Sequence, residues 1–280
     1  MVKIITDTTA VLAPDIARKH GIPVIPQIIH LGDESFQEGI DIDIPAFMQR
    51  LTGSKETPRT SAPPPELFIE EFQRLTPTGE PILCIHPSAD VSGTVRSATI
   101  AKGEFPGSDI RVIDTRTIGS PLGTMVELAA AWAAAGDSAD AVVSKLNGYI
   151  RRCRLFFLVA TLEYLQRGGR IGGAAALVGT VLQIKPILEM RNGKVEPLER
   201  ERTHKRALAR MKELVIEQAA PGDDALISVM HAGAPDEGQA LAEDLQAQLR
   251  LSKTPPVVAV PPAIVTHGGP GILGVGFFAK

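Results

Sequence analysis

Apolar and polar positions along the chain follow two rhythms. In the first half, short runs rich in Ile and Val, "VKIIT" (2–6), "PVIPQIIH" (23–30), "PILCIH" (81–86) and "IRVID" (110–114), are each bounded by Pro, Gly or Asp and predict strands. Between them lie segments of helical period, such as "PELFIEEFQRL", where Leu67, Phe68, Phe72 and Leu75 share one face. This alternation predicts a mostly parallel sheet with flanking helices, and in such sheets ligands sit at the C-terminal strand ends. Those ends are Asp7-Thr8-Thr9, the turn leading to Ser92, and Asp114-Thr115, all polar and hydroxyl-bearing.

The second half reads differently. A helix with Ser138 as its cap and Ala139, Val142, Val143 and Leu146 on one face leads into the continuous apolar run "LFFLVAT" (155–161). In "QIKPILEMRNGKVEPLERERT", Asn192-Gly193 between two extended arms is the strongest hairpin signal in the chain. A helix bearing Leu208, Met211, Leu214 and Val215, the strand "ALISVMH", and a helix bearing Leu241, Leu245 and Leu249 follow. The strand-like runs "PVVAV", "AIVTH" and "GILGVGF" close the chain. The fold class expected is therefore α/β in two domains, a parallel-sheet domain over residues 1–150 and an α+β domain with a mixed or antiparallel sheet over 151–280.

Composition removes several function classes. With 29 basic and 32 acidic side chains in 280 residues, well mixed, nothing points to nucleic acid or to an anionic membrane. Two cysteines, Cys84 inside "ILCI" and Cys153, make neither a disulfide framework nor a zinc site, and no His or acidic pair has metal-ligand spacing. The start "MVKIITDTT" enters a strand without a signal-like segment, and no apolar run is long enough to span a bilayer, so a cytoplasmic location is expected.

Candidate chemistry gathers at three stretches. In "CIHPSADVSGTVRSA" (84–98), Ser92 ends a strand and precedes a helix, where it can serve as a helix cap, a nucleophile, part of a phosphate cradle, or a donor to a bound acid. The surroundings are not a Gly-x-Ser-x-Gly elbow, and His267 or His86 as its base depends on folding. "TLEYLQRGGRIGG" (161–173) carries Arg167 and Arg170 among glycines that let backbone N–H groups approach an anion, yet it lacks both the P-loop ending and the dinucleotide spacing. "HGGPGILGVGF" (267–277) offers His267 at a strand end beside a turn.

Taken in order, "IITDTTA", "RTSAPPPELF", "SADVSGTVRSA", "VIDTRTIGSPLG", "FLVATLEYLQRGGRIGG", "LQIKPILEMRNGKVEPLERERTHKRAL", "SVMHAG" and "THGGPGILGVGF" make the chain resemble the DegV family of fatty-acid-binding proteins over nearly its whole length. The resemblance implies a two-domain α/β protein with a long-chain fatty acid, about C16–C18, in a tunnel near the domain interface, and no cofactor or catalysis of its own. It implies that Thr60 or Ser61, the turn Ser92-Gly93-Thr94 and His267 hold the carboxyl group. It further implies a separate ATP-dependent fatty acid kinase as partner, and a place in phospholipid metabolism. Arg167, Arg170 and Arg202 are candidates for a basic rim that docks the partner or an anion, solvated loop charge being the alternative. Where family members often carry Gln, Ser and Gly, this chain has Ala62, Pro64 and Asp90, and Asp90 would repel a carboxylate if it pointed inward. The rival function is a serine hydrolase or acyltransferase using Ser92 with His267; a binder of phosphorylated small molecules through the Arg-Gly-Gly-Arg loop is the third.

Overall fold

The computed structural model describes residues 1–53, 57–178 and 184–280, so Leu182 and Gln183 of the quoted run lie outside the described residues. The chain runs β1 (Lys3–Asp7), α1 (Pro14–His20), β2 (Val24–Ile25), β3 (Ile28–Leu31), β4 (Glu34–Gln37), α2 (Ile44–Gly53), β5 (Arg59–Ser61) and α3 (Pro65–Leu75). It continues through β6 (Ile82–His86), α4 (Thr94–Lys102), β7 (Ile110–Asp114), α5 (Ser120–Ala134) and α6 (Ala139–Arg152). Next come β8 (Cys153–Leu158), α7 (Glu163–Arg167), β9 (Lys185–Arg191), β10 (Lys194–Glu201) and α8 (His204–Gln218). The last elements are β11 (Ser228–His231), α9 (Pro235–Leu249), β12 (Val257–Ala259), α10 (Pro262–Gly268) and β13 (Leu273–Phe278).

The first sheet, in order β2-β1-β6-β7, is parallel throughout. Its strands are apolar on both sides because helices cover both faces. Phe68 and Phe72 of α3 pack with Ala98 and Ala101 of α4 on one, and Leu122, Met125 and Val126 of α5 with Val142 and Leu146 of α6 on the other. The second sheet, β10-β9-β8-β13-β11-β12, is mixed, with β11–β12 its parallel pair. Helices α8 and α9 bury Met211, Val215, Leu241 and Leu245 against Phe156, Val229 and Phe277 of that sheet. The hairpin forms at Asn192 and Gly193, both at positive φ, as the Asn-Gly pair predicts.

Two expectations are corrected. The single strand expected over residues 23–30 is divided at Pro26-Gln27. Val24–Ile25 joins the parallel sheet, whereas Ile28–Leu31 opens a separate antiparallel sheet of order β4-β3-β5. Pro has no N–H for a ladder, so the chain leaves the first sheet there. The run "AIVTH", expected as a strand, is the body of α10, which starts after Pro261 with Pro262 in its first turn, where a missing N–H costs nothing.

Candidate functional site

The second face of the mixed sheet is not fully covered by side chains. Leu155 and Phe157 of β8, Met190 of β9, Val195 of β10, Met230 of β11 and Gly274 of β13 face Ala263, Ile264 and His267 of α10 across a cavity of about 690 Å³. Val91 and Ile118, from the ends of the parallel sheet, close its side. The lining is hydrocarbon except at one end, where His267 and Arg170 stand. The same two residues line a polar basin of about 1260 Å³ with Arg59, Thr60, Tyr164 and Arg167, so the apolar cavity and the basin meet at His267 and Arg170.

Packing of the two glycine-rich stretches sets this junction. A Cβ at residue 168 would fall 2.1 Å from His267 Nδ1, and one at Gly269 would fall 2.5 Å from the Tyr164 ring. Glycine at these positions lets α7 and α10 lie against each other, which is a packing role rather than a phosphate cradle. Arg170 is held side-on: Nε donates to the Val91 carbonyl at 3.0 Å and Nη1 to that of Gly168 at 2.6 Å. Burial, aided by the nearby Arg170 guanidinium, pushes the His267 imidazole down to about 4, so the ring is neutral at neutral pH. Its Nε2 lies 2.7 Å from Thr60 Oγ1, and its buried Nδ1 has no partner among the described residues. If Thr60 donates to Nε2, the N–H sits on Nδ1; if Nε2 donates, the Thr60 hydrogen is free. Either arrangement leaves one donor unspent.

Of the hydroxyl pair in "RTS", only Thr60 reaches His267. Successive residues of β5 point to opposite faces, and Ser61 Oγ instead meets His30 Nε2 at 2.8 Å. Gly93 packs on Ala62, whose Cβ would be 3.2 Å from a Cβ at 93, so the Thr60 loop and the Ser92 turn are neighbours. Gly93, not Ser92, is the N-cap of α4; the half-buried Ser92 precedes it and accepts from the Thr94 N–H at 3.3 Å. Val91, next to Ser92, lines the cavity itself.

The Ser92 hydroxyl ends a buried relay. Asp7 Oδ1 accepts from Gln27 Nε2 at 3.0 Å, and the same amide nitrogen lies 2.9 Å from Thr94 Oγ1. Both amide hydrogens are thereby spent, and the fully buried Thr94 has Ser92 Oγ, 2.8 Å away, to receive its own hydrogen. The hydrogen left over belongs to Ser92. Asp7 is further tied to Thr9 and, at 2.7 Å, to His86 Nδ1. Glu38 forms a second brace: it accepts from the Thr8 hydroxyl and, at 2.6 Å, from the Ala263 N–H at the head of α10. Burial pushes its carboxyl up to about 7, against the pull of those two donors and with a smaller push from Asp7.

Asp90 points away from the cavity, with Oδ1 3.7 Å from Lys194 Nζ beside the hairpin turn. Pro64 is the N-cap of α3. Arg167 lines the basin and pairs with Glu163. Arg202 is exposed, just beyond the end of β10 opposite the hairpin turn, and lines neither the apolar cavity nor the basin. Gln27 and Glu38 were not marked by any motif; each is a polar residue beside an apolar run whose partners lie 67 and 225 residues away. Ser92 and His267 have different partners, Thr94 and Thr60, and no hydrogen bond joins them among the described residues.

The model of the family described as "Uncharacterised protein, DegV family" matches residues 1–280. A DegV domain-containing protein of Streptomyces coelicolor is 40% identical over 277 residues, covering 98% of this chain and 97% of that one. The solved structure of a fatty-acid-binding DegV family protein from Thermus thermophilus superposes with a TM-score of 0.88 at 30% identity, covering 100% of this chain and 99% of that one. A stearic-acid-binding protein from Eubacterium ventriosum gives a TM-score of 0.89 at 26% identity, with the same coverage of 100% and 99%.

Proposed function

The chain belongs to the DegV family, and from that premise we propose that it is a carrier of a long-chain fatty acid, whose tail fills the apolar cavity and whose carboxyl group sits at the His267–Arg170 junction. The observation that carries this reading is the cavity's one-sided polarity: hydrocarbon walls end at a neutral histidine, a pinned guanidinium and the Thr60 hydroxyl. A tail of about C16–C18, at about 0.8 kcal/mol per methylene, gives on the order of 12 kcal/mol before association costs. The tail thus supplies most of the affinity, and the polar end supplies orientation.

Ser92 donates its leftover hydrogen to one carboxyl oxygen, and the Thr60–His267 pair donates to the other. Arg170, with two of its donors spent on carbonyls, contributes charge from one side rather than a two-pronged clamp. A carboxyl held this way keeps an oxygen lone pair open toward the basin, which suits presentation to a separate ATP-dependent kinase. Arg59 and Arg167 in the basin give such a partner, or its phosphate, a basic surface to meet. The hydrolase reading requires a Ser92–His267 hydrogen bond, and the partners of both residues favour the carrier instead.

Ser92→Ala removes a hydrogen bond to a charged group and is expected to weaken fatty acid binding about ten- to hundredfold. Thr94→Val frees the Ser92 hydroxyl to turn and is expected to cost less. Displacement of a fluorescent fatty acid measures both; undiminished affinity in Ser92→Ala would remove the serine from the site. Mixing the loaded protein with a fatty acid kinase and ATP tests the presentation step through ADP release that depends on the carrier.

A further inference from the structure

Beyond Met190, which forms part of the wall of the apolar cavity, lies a separate cleft of about 960 Å³ between the end of β7, the end of α6 and the hairpin. Four arginines line it, Arg116, Arg151, Arg154 and Arg191, together with Thr117. Only Arg191 meets a carboxylate among the described residues, that of Glu189, itself in the cleft. Arg116 donates to the Asn192 carbonyl, Arg154 donates to the carbonyls of Arg151 and Cys153, and no carboxylate lies within ion-pair distance of Arg151 among the described residues. The cleft therefore holds three guanidinium charges balanced by no acid.

A second observation points the same way. Thr117 is 2% exposed, and its hydroxyl oxygen has no hydrogen-bond partner among the described residues, although a buried hydroxyl is ordinarily paired. The group beside it is the thiol of Cys153, a weak acceptor. A buried hydroxyl whose one neighbouring acceptor is a weakly accepting thiol, in a concavity with uncompensated guanidiniums, is what an oxyanion would satisfy better.

We propose that this arginine cleft binds the phosphate group of a small molecule or lipid headgroup, with Arg151 and Arg154 pairing its oxygens and Thr117 donating a hydrogen bond. Guanidinium forks match phosphate oxygens in pairs, and a cleft of this size lies in the range of about 300–1,000 Å³ that ligand sites occupy. The inference does not depend on the fatty acid reading, because no residue of the polar end takes part.

Calorimetry and phosphorus NMR on the full chain with inorganic pyrophosphate test it. Binding that weakens as ionic strength rises is expected, with Arg151→Gln and Thr117→Val each reducing affinity about tenfold. The amount of co-purified lipid in both variants should match the native chain. Sedimentation with phosphatidylcholine vesicles carrying phosphatidic acid separates the sources: binding to vesicles that pyrophosphate displaces assigns a lipid headgroup, and pyrophosphate binding without vesicle binding assigns a soluble phosphate. Absence of both, or affinity unchanged in both variants, overturns the proposal. Arg151 is exposed and at the end of α6, so its substitution keeps the test valid should Thr117→Val disturb packing.

Discussion

Replacing Ala263 by phenylalanine is expected to strip the protein of fatty acid while leaving the fold in place. Ala263 is buried in the first turn of α10 and its methyl faces the cavity, so the larger ring enters space that the tail would use. Every methylene displaced costs about 0.8 kcal/mol, and losing half of a long tail removes about 6 kcal/mol, more than a ten-thousandfold change in affinity. Filling a preformed cavity limits the folding cost to the usual range for added bulk, about 1–3 kcal/mol. The Ala263 N–H that binds Glu38 is main chain and survives the substitution. Lipid extracted from the purified variant, measured beside its thermal melt, checks both halves; a full complement of acid in a normally folded variant would place the tail elsewhere.

The second large effect concerns pH. Glu38 titrates near 7 in the folded chain against 4.5 for an ordinary glutamate, so between those values the native state binds more protons than the unfolded one. Stability from this group is then complete below 4.5 and is lost as pH rises through about 7, a change on the order of 3 kcal/mol. His267 acts in the opposite sense, because its lowered value favours the folded state above 6.5 and withdraws that support as pH falls toward 4. Comparing the native chain with Glu38→Gln cancels the histidine. The glutamine keeps an acceptor for Ala263 and a donor for the Thr8 oxygen, and does not titrate. Urea unfolding of both across this window should show the variant gaining on the native chain as pH rises. A constant difference would mean that Glu38 does not change its charge there.

Much of the scaffold is written in local pattern. Ile- and Val-rich runs between Pro, Gly and Asp mark β1, β6 and β7, and the Asn192-Gly193 pair marks its hairpin because few residues tolerate two successive positive φ angles. Short apolar runs carry no such mark. "AIVTH" suits a buried strand or a buried turn of helix equally, and only the prolines before it favour the helix it forms.

For the site, family resemblance selected Thr60 and His267, which are 207 residues apart and 2.7 Å from each other in the fold. Strand alternation decides between Thr60 and Ser61, but only once β5 is known to be a strand. Gln27 and Glu38 escaped because a buried polar residue is legible only through its partners, and theirs come from α4 and α10. Asp90, a puzzle in the sequence, is explained by the hairpin it faces.

Native mass spectrometry of the purified protein, followed by denaturation, tests the carrier account most directly. The account predicts a complex heavier than the chain by one long-chain fatty acid, which leaves intact on denaturation and returns the bare chain mass. A mass increment that survives denaturation and disappears in Ser92→Ala would mean an acyl-enzyme, and would contradict it.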